Sequence, residues 1–210
     1  MTDYGKFIVA MGIPCCGKSS VIKRLAELYE VKAFCEPEES EWPDAVNERE
    51  AYGYFTGISW FRSVRVPYLY QAQKLALDGK IAFVDSYYDK LIYKYLDKPG
   101  MEWLVPKNDI YYDLTQELAK TDYDVLPNAD IVIFFEIEES LWQSFLKKRN
   151  RSLDQNSSFL KKCFLSQKHM KDACKQYADE FGKKLLIIKQ EDSSAETMAA
   201  KIKDKLEELL

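Results

Sequence analysis

The residues with the clearest chemistry lie near the start of the chain, in Gly12-Ile13-Pro14-Cys15-Cys16-Gly17-Lys18-Ser19. The spacing G-x-x-x-x-G-K-[ST] suits a loop whose backbone N–H groups point inward around a phosphate. A lysine at this position reaches the β- and γ-phosphates of a nucleotide, and the serine hydroxyl after it can ligate Mg²⁺. Gly12, Cys15, Cys16, Gly17, Lys18, Ser19 and Ser20 are therefore the candidate nucleotide-binding residues.

Such a loop works only between a buried strand and a helix N-terminus, which adds its partial positive charge. Both are present in the pattern. Residues 6–11 form a short apolar run, and Val21, Ile22, Leu25, Ala26, Leu28 and Tyr29 recur at helical spacing. Further along, strand-like runs at 31–35, 80–85, 130–136 and 184–189 alternate with helical patterns at 18–29, 58–78, 86–96, 109–120, 139–148, 157–181 and 195–209. That alternation predicts an α/β fold: a five-stranded parallel sheet between two helical layers, with right-handed crossovers. The near-continuous apolar runs Ile131–Phe135 and Leu185–Ile188 are expected to be strands covered on both faces.

In an open parallel sheet the ligand crevice lies at the carboxyl ends of the strands, so the residues that follow each strand matter most. After the second strand comes Glu36-Pro37-Glu38-Glu39-Ser40-Glu41-Trp42. The proline keeps the backbone at Glu36 extended. A carboxylate there faces the phosphate loop and could accept a hydroxyl proton during phosphoryl transfer; the plain alternative is an acidic surface loop. Arg62 and Arg65, three apart on one helix face, either clamp a substrate, orient Glu36 or remain exposed. Asp85 closes the apolar run Ile81–Val84 and is placed to hold Mg²⁺ together with Ser19. Lys147-Lys148-Arg149-Asn150-Arg151 is either a cationic lid over bound phosphates, around 147–156, or a solvated basic face. Apolar residues of the 157–181 helix form a stripe that reads as core or as a homodimer face.

Composition narrows the classes. The 210 residues, 47% of them apolar, suit one domain spanning 1–210. A net charge of −4 and a pI near 5.3 argue against nucleic acid as a partner. Five cysteines without C-x-x-C spacing point to reduced thiols and a cytoplasmic location. The single histidine excludes a multi-histidine metal centre. No run is apolar enough for a membrane span, and no signal peptide is recognisable.

Taken together and in order, these segments resemble the deoxynucleoside kinase and thymidylate kinase superfamily, over about residues 6–190. The likeness is carried by the phosphate loop, Glu36-Pro37 with Trp42, the Arg62 helix, the strand-end Asp85 and the Arg149/Arg151 cluster. It implies an ATP- and Mg²⁺-dependent enzyme acting on a small nucleoside or nucleotide, most simply at the 5′-hydroxyl of a deoxynucleoside. It further implies that Glu36 is the base, that Trp42 lines the nucleoside pocket, that Arg62 sits beside the base, and that Arg149 and Arg151 stabilise the transferring group along with Lys18.

Three features depart from the family pattern. The Glu36-to-Trp42 spacing is one residue longer, Cys15 replaces an inner glycine of the loop, and Asp85-Ser86-Tyr87 lacks the arginine that follows the acid. If a helix begins at Ser86, Lys90 shares its face one turn on and is the expected substitute cation. Two other classes compete: a thymidylate-like monophosphate kinase and a catalytically weak nucleotide-binding protein. A regulatory GTPase is disfavoured. Asp97-Lys98-Pro99-Gly100 and Lys120-Thr121-Asp122 imitate its motifs, but neither follows a predicted strand, and Ala119 replaces the leading asparagine.

Overall fold

The computed structural model describes residues 5–149 and 157–210. Five strands, β1 (Phe7–Met11), β2 (Ala33–Phe34), β3 (Ala82–Val84), β4 (Ile131–Glu136) and β5 (Lys184–Lys189), form one sheet. It is parallel throughout, in the order β2-β3-β1-β4-β5. Parallel neighbours demand crossovers, and the helices that make them bury both faces of the central strands. Every residue of β1 and the first five of β4 are buried accordingly.

The main helices are α1 (Lys18–Leu28), α4 (Tyr54–Leu77), α6 (Tyr112–Val125), α7 (Glu139–Arg149), α8 (Ser157–Phe181) and α9 (Ala195–Glu207). Short helices α2 (Asp44–Asn47), α3 (Arg49–Tyr52) and α5 (Tyr88–Leu91) fill the connections. The apolar stripe of α8 packs inward. Cys163, Met170, Cys174 and Tyr177 are all buried in the core, so core and not a dimer face accounts for those positions. Among the described residues no helix is long and apolar enough to cross a membrane.

Three expectations change. The apolar run in β5 does not mark a strand covered on both faces: β5 pairs only with β4, at the sheet edge, and Ile187 is exposed. Helix α4 starts at Tyr54, four residues earlier than periodicity suggests, after Gly53 at φ 88°. The predicted helix over 86–96 is broken into α5 and a 3₁₀ turn, Ile92–Lys94, with Tyr87 as the cap before α5.

That break overturns the expectation for Lys90. Ser86 precedes the helix, so Ser86 and Lys90 share no helical face. Lys90 is fully buried on the far side, away from the crevice. Its ammonium donates to the Leu126 carbonyl at 2.7 Å and lies over the rings of Tyr123 and Phe181. Burial lowers its pKa to about 8, against the opposing pull of Asp124, Glu180 and Asp122. The unfolded chain keeps that proton up to the ordinary value of 10.5. Between those values the unfolded state binds more protons, so stability from this site rises with pH. Urea unfolding at pH 7.5 and pH 10 is expected to show wild-type protein gaining on the order of 1–3 kcal/mol over Lys90→Met across that interval. Parallel pH dependences for the two proteins would contradict it.

Candidate active site

The phosphate loop joins β1 to α1. Gly12 (φ 145°) and Gly17 (φ 85°) hold backbone conformations that L side chains avoid. A Cβ at Gly12 would also lie 2.7 Å from the Phe135 carbonyl oxygen. Cys15 adopts φ 62°, the left-handed region. This explains the glycine the family pattern favours there, since a side chain in that region costs about 1 kcal/mol. The Trp142 indole N–H pins the loop by donating to the Pro14 carbonyl at 2.8 Å.

Lys18 is 8% exposed and donates to the Gly12 and Ile13 carbonyls, each at 2.9 Å. Burial opposes its charge, but Cys16, Tyr88 and Glu36 around it hold its pKa above the ordinary lysine value. It is a fixed cation at the mouth of α1. Ser19 and Ser20 follow, both exposed on the first turn of the helix.

Opposite the loop, the ends of β2 and β3 are stapled together. The Asp85 N–H donates to the Phe34 carbonyl at 3.0 Å, and the Glu36 N–H returns a bond to Asp85 Oδ1 at 3.2 Å. Burial, reinforced by the nearby Glu36 charge, pushes the Asp85 carboxyl up to about 6, while a hydrogen bond from Ser19 opposes the shift. Ser19 and Asp85 thus meet at the loop's edge as a hydroxyl and a carboxylate. Mg²⁺ is commonly held by one or two protein oxygens plus phosphates and waters, and this donor pair fits it.

The cation that holds Glu36 is Arg65, not Arg62. Arg65 Nη1 donates to Glu36 Oε1 at 3.2 Å, and its Nε pairs with Asp89 at 2.8 Å. The Arg65 guanidinium also lies over the rings of Phe61 and Tyr88. Arg62 instead forms a two-pronged pair with Asp122 on α6, at 2.6 and 2.7 Å. Both arginines leave α4 towards the cleft; their three-residue offset sends them to different partners. The arginine expected beside the base is thus supplied by α4, and Ser86 is buried without a hydrogen-bond partner among the described residues.

These groups line one cleft of about 700 Å³. The loop and Lys18 form one end. From there a run of contacts leads through Tyr88 to Arg65, with Glu36 and Asp89 on its guanidinium, and on to Phe61 and Trp42; the Arg62–Asp122 pair also lines the cleft. Trp42 packs edge-on against Phe61 with centroids 5.1 Å apart, and its indole N–H donates to the Pro37 carbonyl. Arg149 and Lys148 reach the cleft from α7, and Gln190, at the end of β5, presents a buried Oε1 without a hydrogen-bond partner among the described residues. Arg151 and most of the expected lid, 150–156, lie outside the described residues.

The chain matches no protein-family model, and no curated protein matches it in sequence. Solved structures do match it along nearly its full length. A deoxyadenosine kinase from M. mycoides, with products dCMP and a flexible dCDP bound, superposes with a TM-score of 0.64 at 19% identity, over 96% of this chain and 98% of that one. The same kinase with bound dATP gives 0.64 at 21% identity, over 96% and 99%. The chain has the deoxynucleoside kinase fold. A thymidylate kinase from Candida albicans shares it at a TM-score of 0.60 and 17% identity, over 98% of this chain and 92% of that one.

Within that kinase fold, Asp89, Tyr88 and Asp122 join the site with no role assigned to them by the sequence pattern, and Arg65 takes the Glu36-orienting alternative. Arg65 was legible as half of an i, i+3 pair. Asp122 stood out only as part of a false guanine-binding motif. Asp89 and Tyr88 carried no local signal, because their roles depend on where α5 begins.

Proposed function

We propose that this protein transfers the γ-phosphoryl group of ATP to the 5′-hydroxyl of a deoxynucleoside. The observation that carries the reading is Glu36: a carboxylate facing the phosphate loop across the cleft, anchored by Arg65 and by its own backbone bond to Asp85. A phosphate cradle at one end and an aromatic-walled pocket at the other leave the two reactants meeting at Glu36.

In this reading the loop amides and Lys18 hold the β- and γ-phosphates. Glu36 accepts the proton of the hydroxyl as its oxygen forms the new P–O bond. The bond from the γ-phosphorus to the bridging oxygen breaks, and ADP leaves. Ser19 and Asp85 would hold Mg²⁺, which neutralises charge on the phosphates when bound. Arg149 supplies a further cation from the end of α7. Trp42 and Phe61 supply apolar ring surface where a base would lie. The five cysteines form no disulfides, which fits a reducing, cytoplasmic setting.

The test is a screen of the natural nucleosides and their 5′-monophosphates with ATP and Mg²⁺. Phosphorylation of at least one deoxynucleoside is expected, with its monophosphate a poor acceptor. Turnover confined to monophosphates would replace this reading with a thymidylate kinase-like one. Binding without turnover would leave a nucleotide-binding protein.

A further inference from the structure

The family pattern places an arginine after the strand-end acid, and this chain has a buried Ser86 there, outside the cleft lining. Arg65 replaces the cation beside Glu36, but its contacts with the Glu36 and Asp89 carboxylates keep it at the acceptor end. A donor is still needed between that end and the loop. Tyr88 occupies this place.

The Tyr88 hydroxyl donates to the Gly12 carbonyl, the same oxygen that accepts the Lys18 ammonium. Its ring has Lys18 Nζ 5.4 Å from its centroid and the Arg65 guanidinium carbon also at 5.4 Å. Tyr88 therefore touches both of the cations that define the donor and acceptor ends. Tyr88 also lines the cleft.

We propose that Tyr88 is a ligand of the transferring phosphoryl group, its hydroxyl turning from the Gly12 carbonyl to a γ-phosphate oxygen when ATP binds. The proposal rests on the nucleotide reading above. The Gly12 carbonyl keeps Lys18 as a donor, so releasing Tyr88 leaves no orphaned acceptor. A bond to an anionic oxygen is stronger than one to a neutral carbonyl, which drives the exchange. Burial pushes the phenol up to about 12, so the group stays a protonated donor at neutral pH. The cation–π contacts on the ring fix its direction while the hydroxyl turns.

Tyr88→Phe keeps the ring and removes only the hydroxyl. The experiment measures Mg²⁺-dependent binding of ADP and of a non-hydrolysable ATP analogue carrying a γ-phosphate, then kcat and acceptor KM. The variant is expected to bind ADP as wild type does and the ATP analogue about tenfold more weakly. A roughly 10²-fold lower kcat with an unchanged acceptor KM is expected alongside. An unchanged preference for the analogue over ADP would overturn the proposal. Equal weakening of both nucleotides would overturn it too, by making Tyr88 a structural residue. If wild-type protein binds neither nucleotide, the nucleotide reading falls first and the Tyr88 role with it.

Discussion

Lys18→Ala is expected to lower phosphoryl transfer by about 10³-fold while leaving the fold intact. The two halves of that statement have separate causes. The rate falls because the variant removes the only loop side chain that places a full positive charge at the β- and γ-phosphates. Pre-set charge in a water-poor cleft supplies more stabilisation than the same charge would in water. The fold survives because Lys18 forms no ion pair with a carboxylate among the described residues: its ammonium donates to the Gly12 and Ile13 carbonyls and to Cys16 Sγ. Gly12 keeps its bond from Tyr88. Losing a neutral-acceptor bond costs about 1 kcal/mol, so a melting temperature within a few degrees of wild type is expected. Rates within tenfold of wild type under saturating ATP would contradict the role assigned to Lys18, and collapse of the fold would contradict the account of its burial.

The path of the loop between β1 and α1 is legible in sequence because its determinants are local. Glycine at two positions, a lysine and a hydroxyl at fixed offsets specify the backbone path without help from the rest of the chain. Even the departure at Cys15 becomes intelligible once φ is known. The strand-end acids were legible for a related reason: an apolar run that ends in a charge must deliver it to the sheet's edge. What could not be read was anything set by the rotation of one helix against another. Choosing between Arg62 and Arg65 requires the rotation of α4 about its axis, which turns Arg65 to Glu36 and Asp89 and Arg62 to Asp122. Lys90 failed for the same reason on a smaller scale. A helix starting at Tyr88 instead of Ser86 removes the shared face on which its assignment depended, and the ammonium turns to Leu126. The exposure of β5 follows from sheet order, which no single strand encodes.

Glu36→Gln is expected to lower kcat by about 10²–10⁴-fold with little change in ATP affinity. The substitution keeps the shape and one acceptor oxygen of the side chain but removes its ability to take a proton. Its structural cost is bounded by the surroundings. Arg65 would lose the charge of its weaker partner, Glu36 at 3.2 Å, but keep an acceptor oxygen there and the closer carboxylate, Asp89 at 2.8 Å, so its buried charge stays compensated. Asp85 would lose a like charge that helps to hold its carboxyl up at about 6. That carboxyl is expected to fall in the variant, which favours the ionised metal-binding form and leaves Mg²⁺–ATP affinity intact or improved. A base and a structural carboxylate therefore differ in signature. If Glu36 is the base, turnover collapses, ATP binding holds, and the remaining rate rises with pH as hydroxide takes over the proton. If it only anchors Arg65, ATP affinity and the melting temperature fall with the rate, and Arg65→Lys, which keeps the charge but loses the fork, reproduces both losses. Steady-state kinetics from pH 6 to 9 on the two variants, with nucleotide binding measured alongside, separate these outcomes. Normal turnover by Glu36→Gln would place the base elsewhere on the cleft wall, with Asp89 the nearest carboxylate on the same guanidinium.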